Sequence, residues 1–239
     1  FKSLNLVKKF EMPAVKISSG LMTNIPLVTE ASKIGVPMII STGMCFRKEI
    51  NKTFQIAKKY NRAGIALLKC TSLYPAPDNT INLLAIKNFI NTFKIPIGYS
   101  DHTKDNLASL LAVSLGAKII EKHFTLNKKQ QGVDHKFSSE PKEFKMLISD
   151  IRRIEVLMGS SLIKPHNKEI PKRNKYFRSI LAMKNIAKHE KLTISNVALK
   201  RSLNYQTSLG PKYFHQILGR RAKRNIQIDE KILFSKLEK

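Results

Sequence analysis

Cysteine is scarce in this sequence. Cys45 and Cys70 are the only two among 239 residues, and they stand in separate segments without C-x-x-C spacing. That excludes a paired-cysteine clip and suits a reducing compartment, the cytosol. Long apolar runs are missing as well. No stretch approaches the ~18–20 apolar residues of a membrane span, and no secretory h-region stands near the start. Acidic residues are few, 17 against 43 lysines and arginines, for a formal charge of +26. Such a charge invites a nucleic-acid reading. However, the basic residues are spread over the whole length without an aromatic-interleaved motif, and pairs such as Lys172-Arg173 are short. A solvated face explains them better than a nucleic-acid surface, and an anionic small substrate would also profit from the field. The chain opens at Phe1, not at a methionine.

What is present has a rhythm. "PAVKISS" (13–19), "PMIIST" (37–42), "IALLKC" (65–70), "IPIGYS" (95–100) and "AKIIEKHF" (117–124) are short apolar runs rich in β-branched residues. Helix-like stretches follow at 25–35, 49–60, 81–93 and 106–117. Near-continuous apolar strands alternating with amphipathic helices predict a parallel sheet covered by helices. Gly35, Gly64 and Gly116 fall where left-handed helix ends are wanted. Polar residues gather after every strand, at Ser18-Ser19-Gly20, Ser41-Thr42-Gly43, Thr71-Ser72, Ser100-Asp101-His102 and Glu121 to Thr125. In parallel α/β folds that carboxyl edge is where sites are built.

A helix over 138–159, with Pro141 near its start, closes this first region. Residues 160–177 are polar and proline-bearing and read as a linker, which gives domains at 1–159 and 178–239. Within the second, "NIAKHEKLTISNV" (185–197) and "NIQIDEKILFSKL" (225–237) share Asn-Ile and Glu-Lys-Leu/Ile at equal spacing, an internal pseudo-repeat of a small β-rich domain.

His102 in "GYSDHT" and His123 in "EKHFT" each follow an apolar run and keep company with an acid, and they lie 123 − 102 = 21 residues apart. A lone histidine is most often a hydrogen-bonded core or surface residue. Only tertiary structure brings these two together.

Taken in order, "KISSG…TNIPL", "STGM", "CTSLYPAP", "NLLAI", "GYSDHT", "LGAKIIEKHFTL", "GVDHKFSSEP" and "RSILA…KR" resemble the sialic acid synthase family, which includes N-acetylneuraminate and legionaminate synthases. The resemblance covers nearly the whole chain. It implies a (β/α)8 TIM barrel followed by a small antifreeze-like (SAF) domain. It also implies condensation of phosphoenolpyruvate with N-acetylmannosamine or a related acetamido sugar to a nonulosonic acid. "GVDHKFSSEP" suits sialate or legionaminate synthases better than the pseudaminate branch.

The resemblance further implies roles for single residues. His102 and His123 would be ligands of a divalent metal, typically manganese with magnesium as the alternative, which suits imidazole donors. Lys16, Ser19, Ser41, Ser72 and Ser100 would bind phosphoenolpyruvate, a lysine meeting phosphate as a point charge; each serine taken alone reads better as an ordinary turn residue. Tyr74 and Asp134 would meet the sugar, and Glu121 would stand beside the metal and manage protons. Arg201 would reach the N-acetyl group from a partner subunit in a domain-swapped homodimer.

Three departures stand out. Leu21 occupies a usually acidic position and cannot accept hydroxyl hydrogen bonds. Ser202 replaces a proline, and the loop after it differs. Only five βα units are visible, whereas a barrel has eight strands over ~250 residues. The expectation is therefore an incomplete barrel that lacks its first units, and a non-catalytic remnant serving for dimerisation or binding is the alternative.

Overall fold

The computed structural model describes residues 2–202 and 205–238. The chain divides into two compact units, Phe1–Ser160 and Ser161–Lys239.

In the first unit a short helix, α1 (Lys2–Lys9), precedes five βα units. These are β1 (Val15–Ile17) with α2 (Ile25–Ser32), β2 (Met38–Ser41) with α3 (Arg47–Tyr60), β3 (Ile65–Cys70) with α4 (Ala85–Phe93), β4 (Ile97–Asp101) with α5 (Leu107–Ser114), and β5 (Ile119–Lys122) with α6 (Pro141–Met158). The five strands pair in parallel in the order β1-β2-β3-β4-β5. Consecutive order without reversal is the winding of a barrel and not of a doubly wound sheet.

The sheet is a strongly curled half-barrel. A flat sheet would hold β1 and β5 roughly 19 Å apart at ~4.8 Å per strand. Yet Lys16 on β1 and Glu121 on β5 form an ion pair of 3.1 Å, so the concave face brings its two outer strands within side-chain reach.

The two faces have different chemistry because side chains alternate along each strand. Val15, Ile17, Met38, Ile40, Leu67, Ile97 and Tyr99 pack with the helices into the core. The residues between them, Lys16, Ser41, Cys70, Ser100 and Glu121, belong to the concave face.

The helices answer to the same core. In α3 the buried Ile50, Phe54 and Ala57 recur at helical spacing, and the Glu49 carboxylate accepts from the Phe46 amide at 2.7 Å. At its end Asn61 donates to the Val36 carbonyl and accepts from the Ala63 and Gly64 amides. Gly64 follows at φ 124°, where a Cβ would be strained. Pro141 opens α6 behind Glu140, whose amide donates to Glu143 at 2.9 Å.

In the second unit, the stretch read as a linker contains a helix, α7 (Ile170–Tyr176). An antiparallel pair follows, β6 (Arg178–Ala182) with β7 (Val197–Arg201), and then a one-turn helix, α8 (Phe214–Ile217). The sequence pseudo-repeat is structural. Ile186 and Ile226 exchange both backbone hydrogen bonds, at 2.8 and 2.9 Å. Asn185 accepts from the Ile228 amide while Asn225 accepts from the Lys188 amide. Glu190 and Glu230 cap the Ala187 and Gln227 amides in the same way, and Leu192 and Ile232 are both fully buried. His189 and Asp229 each turn the chain at positive φ.

Candidate active site

The concave face of the half-barrel holds a cleft of about 400 Å³ at the carboxyl ends of the strands. Nine of the eleven residues singled out in the sequence line it: Lys16, Ser19, Ser41, Ser72, Tyr74, Ser100, His102, Glu121 and His123. Asp134 stands at its edge, with Oδ2 3.7 Å from His123 Nδ1. Arg201 belongs to the second unit, at the end of β7, where its guanidinium lies 5.3 Å from the Tyr176 ring centre. Ser202 donates to the Ser179 hydroxyl at 2.7 Å. The altered loop after it includes residues 203 and 204, which lie outside the described residues.

The two histidines meet. Their ring centres are 5.2 Å apart, and the Tyr74 ring lies 4.2 Å from His102 and 5.7 Å from His123. His102 Nδ1–H donates to the Thr71 carbonyl at 2.7 Å, which fixes the ring and leaves Nε2 with its lone pair. Burial works against a charge on His102, but the Cys70 thiol and the Thr71 carbonyl outweigh it and raise its pKa. Burial and the neighbouring His102 hold His123 below the usual histidine value.

The acid beside His102 in sequence adds its charge to the rise in the His102 pKa but spends its hydrogen bonds elsewhere. Asp101 points to the helix side and accepts from Lys122, Ser109 and Thr103. Lys122 spends its other protons on the Thr103 and Asp105 carbonyls. Every donor of that buried pair is met, so the loop carrying His102 is anchored from behind.

Across the cleft Glu121 accepts from the Ser100 hydroxyl at 2.7 Å and pairs with Lys16. Ser100 and Glu121 are register partners on neighbouring strands. The Gly43 amide donates to Ser19 Oγ at 3.0 Å. A Cβ at Gly43 would collide with Ser72 Oγ and stand 2.8 Å from Ser19 Oγ, so the glycine is what lets these hydroxyls crowd together. Ser41 Oγ is buried without a hydrogen-bond partner among the described residues, and such a group normally has one. Leu21 is 45% exposed in the turn after Ser19.

Cys70, missed in the sequence, lines the cleft with its Sγ 3.9 Å from His102 Nδ1. Burial would raise its pKa, yet His102 and the Ser19 and Ser100 hydroxyls bring it down. Its place at the last residue of a strand, on the concave alternation, was the available signal.

As a metal centre the cleft offers a pair of imidazoles. No cluster of three or more His, Cys, Asp and Glu suited to an ion occurs among the described residues. The fixed ring of His102 and the proximity of His123 fit a shared ion whose other positions are left to oxygen ligands.

The sequence profile of the NeuB family matches residues 1–162. The chain belongs to the NeuB family. It is 39% identical over 233 residues to the N,N'-diacetyllegionaminic acid synthase of Campylobacter jejuni, covering 97% of this chain and 69% of that protein. The synthase of the same name from Legionella pneumophila is 34% identical over 241 residues, covering 99% of this chain and 67% of that one. Among solved structures, the N-acetylneuraminic acid synthetase of Leptospira borgpetersenii superposes with a TM-score of 0.68 at 37% identity, over 73% of this chain and 62% of that one. This NeuB-family chain thus spans about two thirds of the length of these relatives.

Proposed function

We propose that the protein condenses phosphoenolpyruvate with N-acetylmannosamine or a related acetamido sugar to a nonulosonic acid. Carbon 3 of phosphoenolpyruvate bonds to the aldehyde carbon of the open-chain sugar, whose oxygen takes a proton and becomes a hydroxyl. Water adds at carbon 2, the bond from carbon 2 to the bridging oxygen breaks, and phosphate leaves with that oxygen. A nine-carbon 2-keto acid remains.

The observation that carries this reading is one concave face holding a lysine, a ring of hydroxyls and a histidine pair. Lys16 and the hydroxyls of Ser19, Ser41, Ser72 and Ser100 bind the phosphate and carboxylate of phosphoenolpyruvate. Tyr74 and Asp134 hold the sugar, and Glu121 moves a proton at the reacting centre while Ser100 orients it. His102 and His123 would hold manganese or magnesium, which when bound supplies a Lewis acid for a carbonyl oxygen or a water.

In the same proposal, further βα units close the barrel against the outer strands β1 and β5. The second unit acts as an antifreeze-like domain that delivers Arg201 to a partner's cleft in a homodimer. Leu21 removes an acceptor for a sugar hydroxyl, so the acceptor sugar is the open choice. A panel of acetamido sugars with phosphoenolpyruvate and manganese, read by phosphate release and mass of the product, tests the assignment. Turnover with sialate or legionaminate precursors is expected, and release of phosphate without a sugar-derived keto acid would overturn it.

A further inference from the structure

Behind the cleft, on the helix-facing side of β3, lies a larger pocket of about 670 Å³ between the start of α3 and one face of α4. It shares a wall with the cleft through Met44, Cys70 and Ser72. Its floor is Lys69, only 7% exposed.

Lys69 follows Leu67 on the same face of β3, where a core residue is the rule. Its ammonium donates to Thr71 Oγ1 at 2.8 Å. No carboxylate pairs with it among the described residues, and no acidic side chain lines the pocket. Burial holds its pKa below the usual lysine value. A buried ammonium without a counter-ion is costly to keep; among the described residues its one hydrogen-bond partner is Thr71, and the Tyr99 ring centre lies 5.9 Å away. Asn82, Asn88 and Arg47 also line the pocket, and Phe89 and Phe93 give it an apolar wall.

We propose that this pocket is a second binding site, for a small organic anion that carries a phosphate or carboxylate on an apolar body. The anionic head meets Lys69 and the two asparagine amides, and the body lies against Phe89 and Phe93. A site of this make-up, apolar with a few convergent polar groups, is the usual form of a small-molecule pocket. It is separate from the phosphoenolpyruvate contacts proposed above, because Lys69 and Lys16 project from opposite faces of the sheet.

The test is calorimetric titration of the full-length protein with phenyl phosphate. Binding should be saturable and at least ten times weaker in Lys69→Met and in Asn88→Asp, where a carboxylate would face the anion. It should persist in Lys16→Met, and inorganic phosphate, lacking the apolar body, should bind more weakly than phenyl phosphate. Asn88 is exposed on α4, so its variant decides the matter should Lys69→Met not fold. Binding unchanged in both pocket variants, binding lost in Lys16→Met alone, or no saturable binding to the wild type would each overturn the proposal.

Discussion

Lys122 Nζ sits 2.9 Å from Asp101 Oδ2, with the two side chains 1% and 0% exposed. The pair joins the ends of β4 and β5 just behind the two histidines. Lys122→Met would strand a buried carboxylate and should cost about 3–5 kcal/mol. Urea unfolding measures this. The double variant Lys122→Met/Asp101→Asn should recover part of the loss, and a cost under ~1 kcal/mol for the single change would show that the pair does not anchor the strand ends.

Glu121 pairs with Lys16 in the cleft, and in the proposed condensation it moves a proton. Glu121→Gln should therefore lower kcat by roughly 10²–10⁴-fold, while KM for phosphoenolpyruvate stays level or falls because Lys16 is released. Steady-state kinetics separate the two roles. A lower KM with unchanged kcat would reduce Glu121 to a partner of Lys16.

The strands of the first unit and the helices between them were legible because each apolar run was bounded by glycine and polar turns: four observed strands fall inside their runs and β4 passes its own by one residue, whereas α1 was not expected. The rim was legible for the same reason, since polar residues followed every run. The partner of Asp101 was not. Adjacent residues on a strand face opposite ways, so Asp101 and His102 could not share a target, and Lys122 lies 122 − 101 = 21 residues away. The helix Ile170–Tyr176 hid in a polar, proline-bearing stretch because its proline occupies the first turn, where it is tolerated. Lys69 and Cys70 looked like the tail of a strand, and only the alternation of its faces separates a core position from a pocket floor.

In the second unit Glu230 is bound by Lys236, the Gln227 amide and Arg224. Burial opposes its charge, but these partners outweigh it and hold its pKa at about 2, against 4.5 ordinarily. A depressed carboxylate pKa gives stability that is present above pH ~4.5 and is lost as pH falls toward ~2. Urea unfolding followed through the Ile186 and Ile226 amide signals should weaken over that window, on the order of 2 kcal/mol. Glu230→Gln should flatten the profile, and an unchanged slope in that variant would assign the acid sensitivity elsewhere.

If Arg201 reaches a partner's cleft, Arg201→Ala loses a charge-assisted hydrogen bond to the sugar, typically ~1.5–3 kcal/mol. The expected fall in kcat/KM is roughly 10- to 150-fold, at ~1.4 kcal/mol per factor of ten. Mixed dimers of Arg201→Ala and His123→Ala subunits should regain activity, since one intact cleft can form from two damaged chains. Verified mixed dimers without any rescue would place Arg201 outside the partner's site.

In the proposed function the cleft around the His102–His123 pair performs the condensation. Manganese-supplemented assays that count phosphate and 2-keto acid together compare wild type with His123→Ala. Wild type should release the two in equal amounts. His123→Ala should release neither, with an unchanged unfolding midpoint because His123 lies at a strand end and not in the core. Full turnover by a folded His123→Ala protein would place the condensation elsewhere than at the histidine pair.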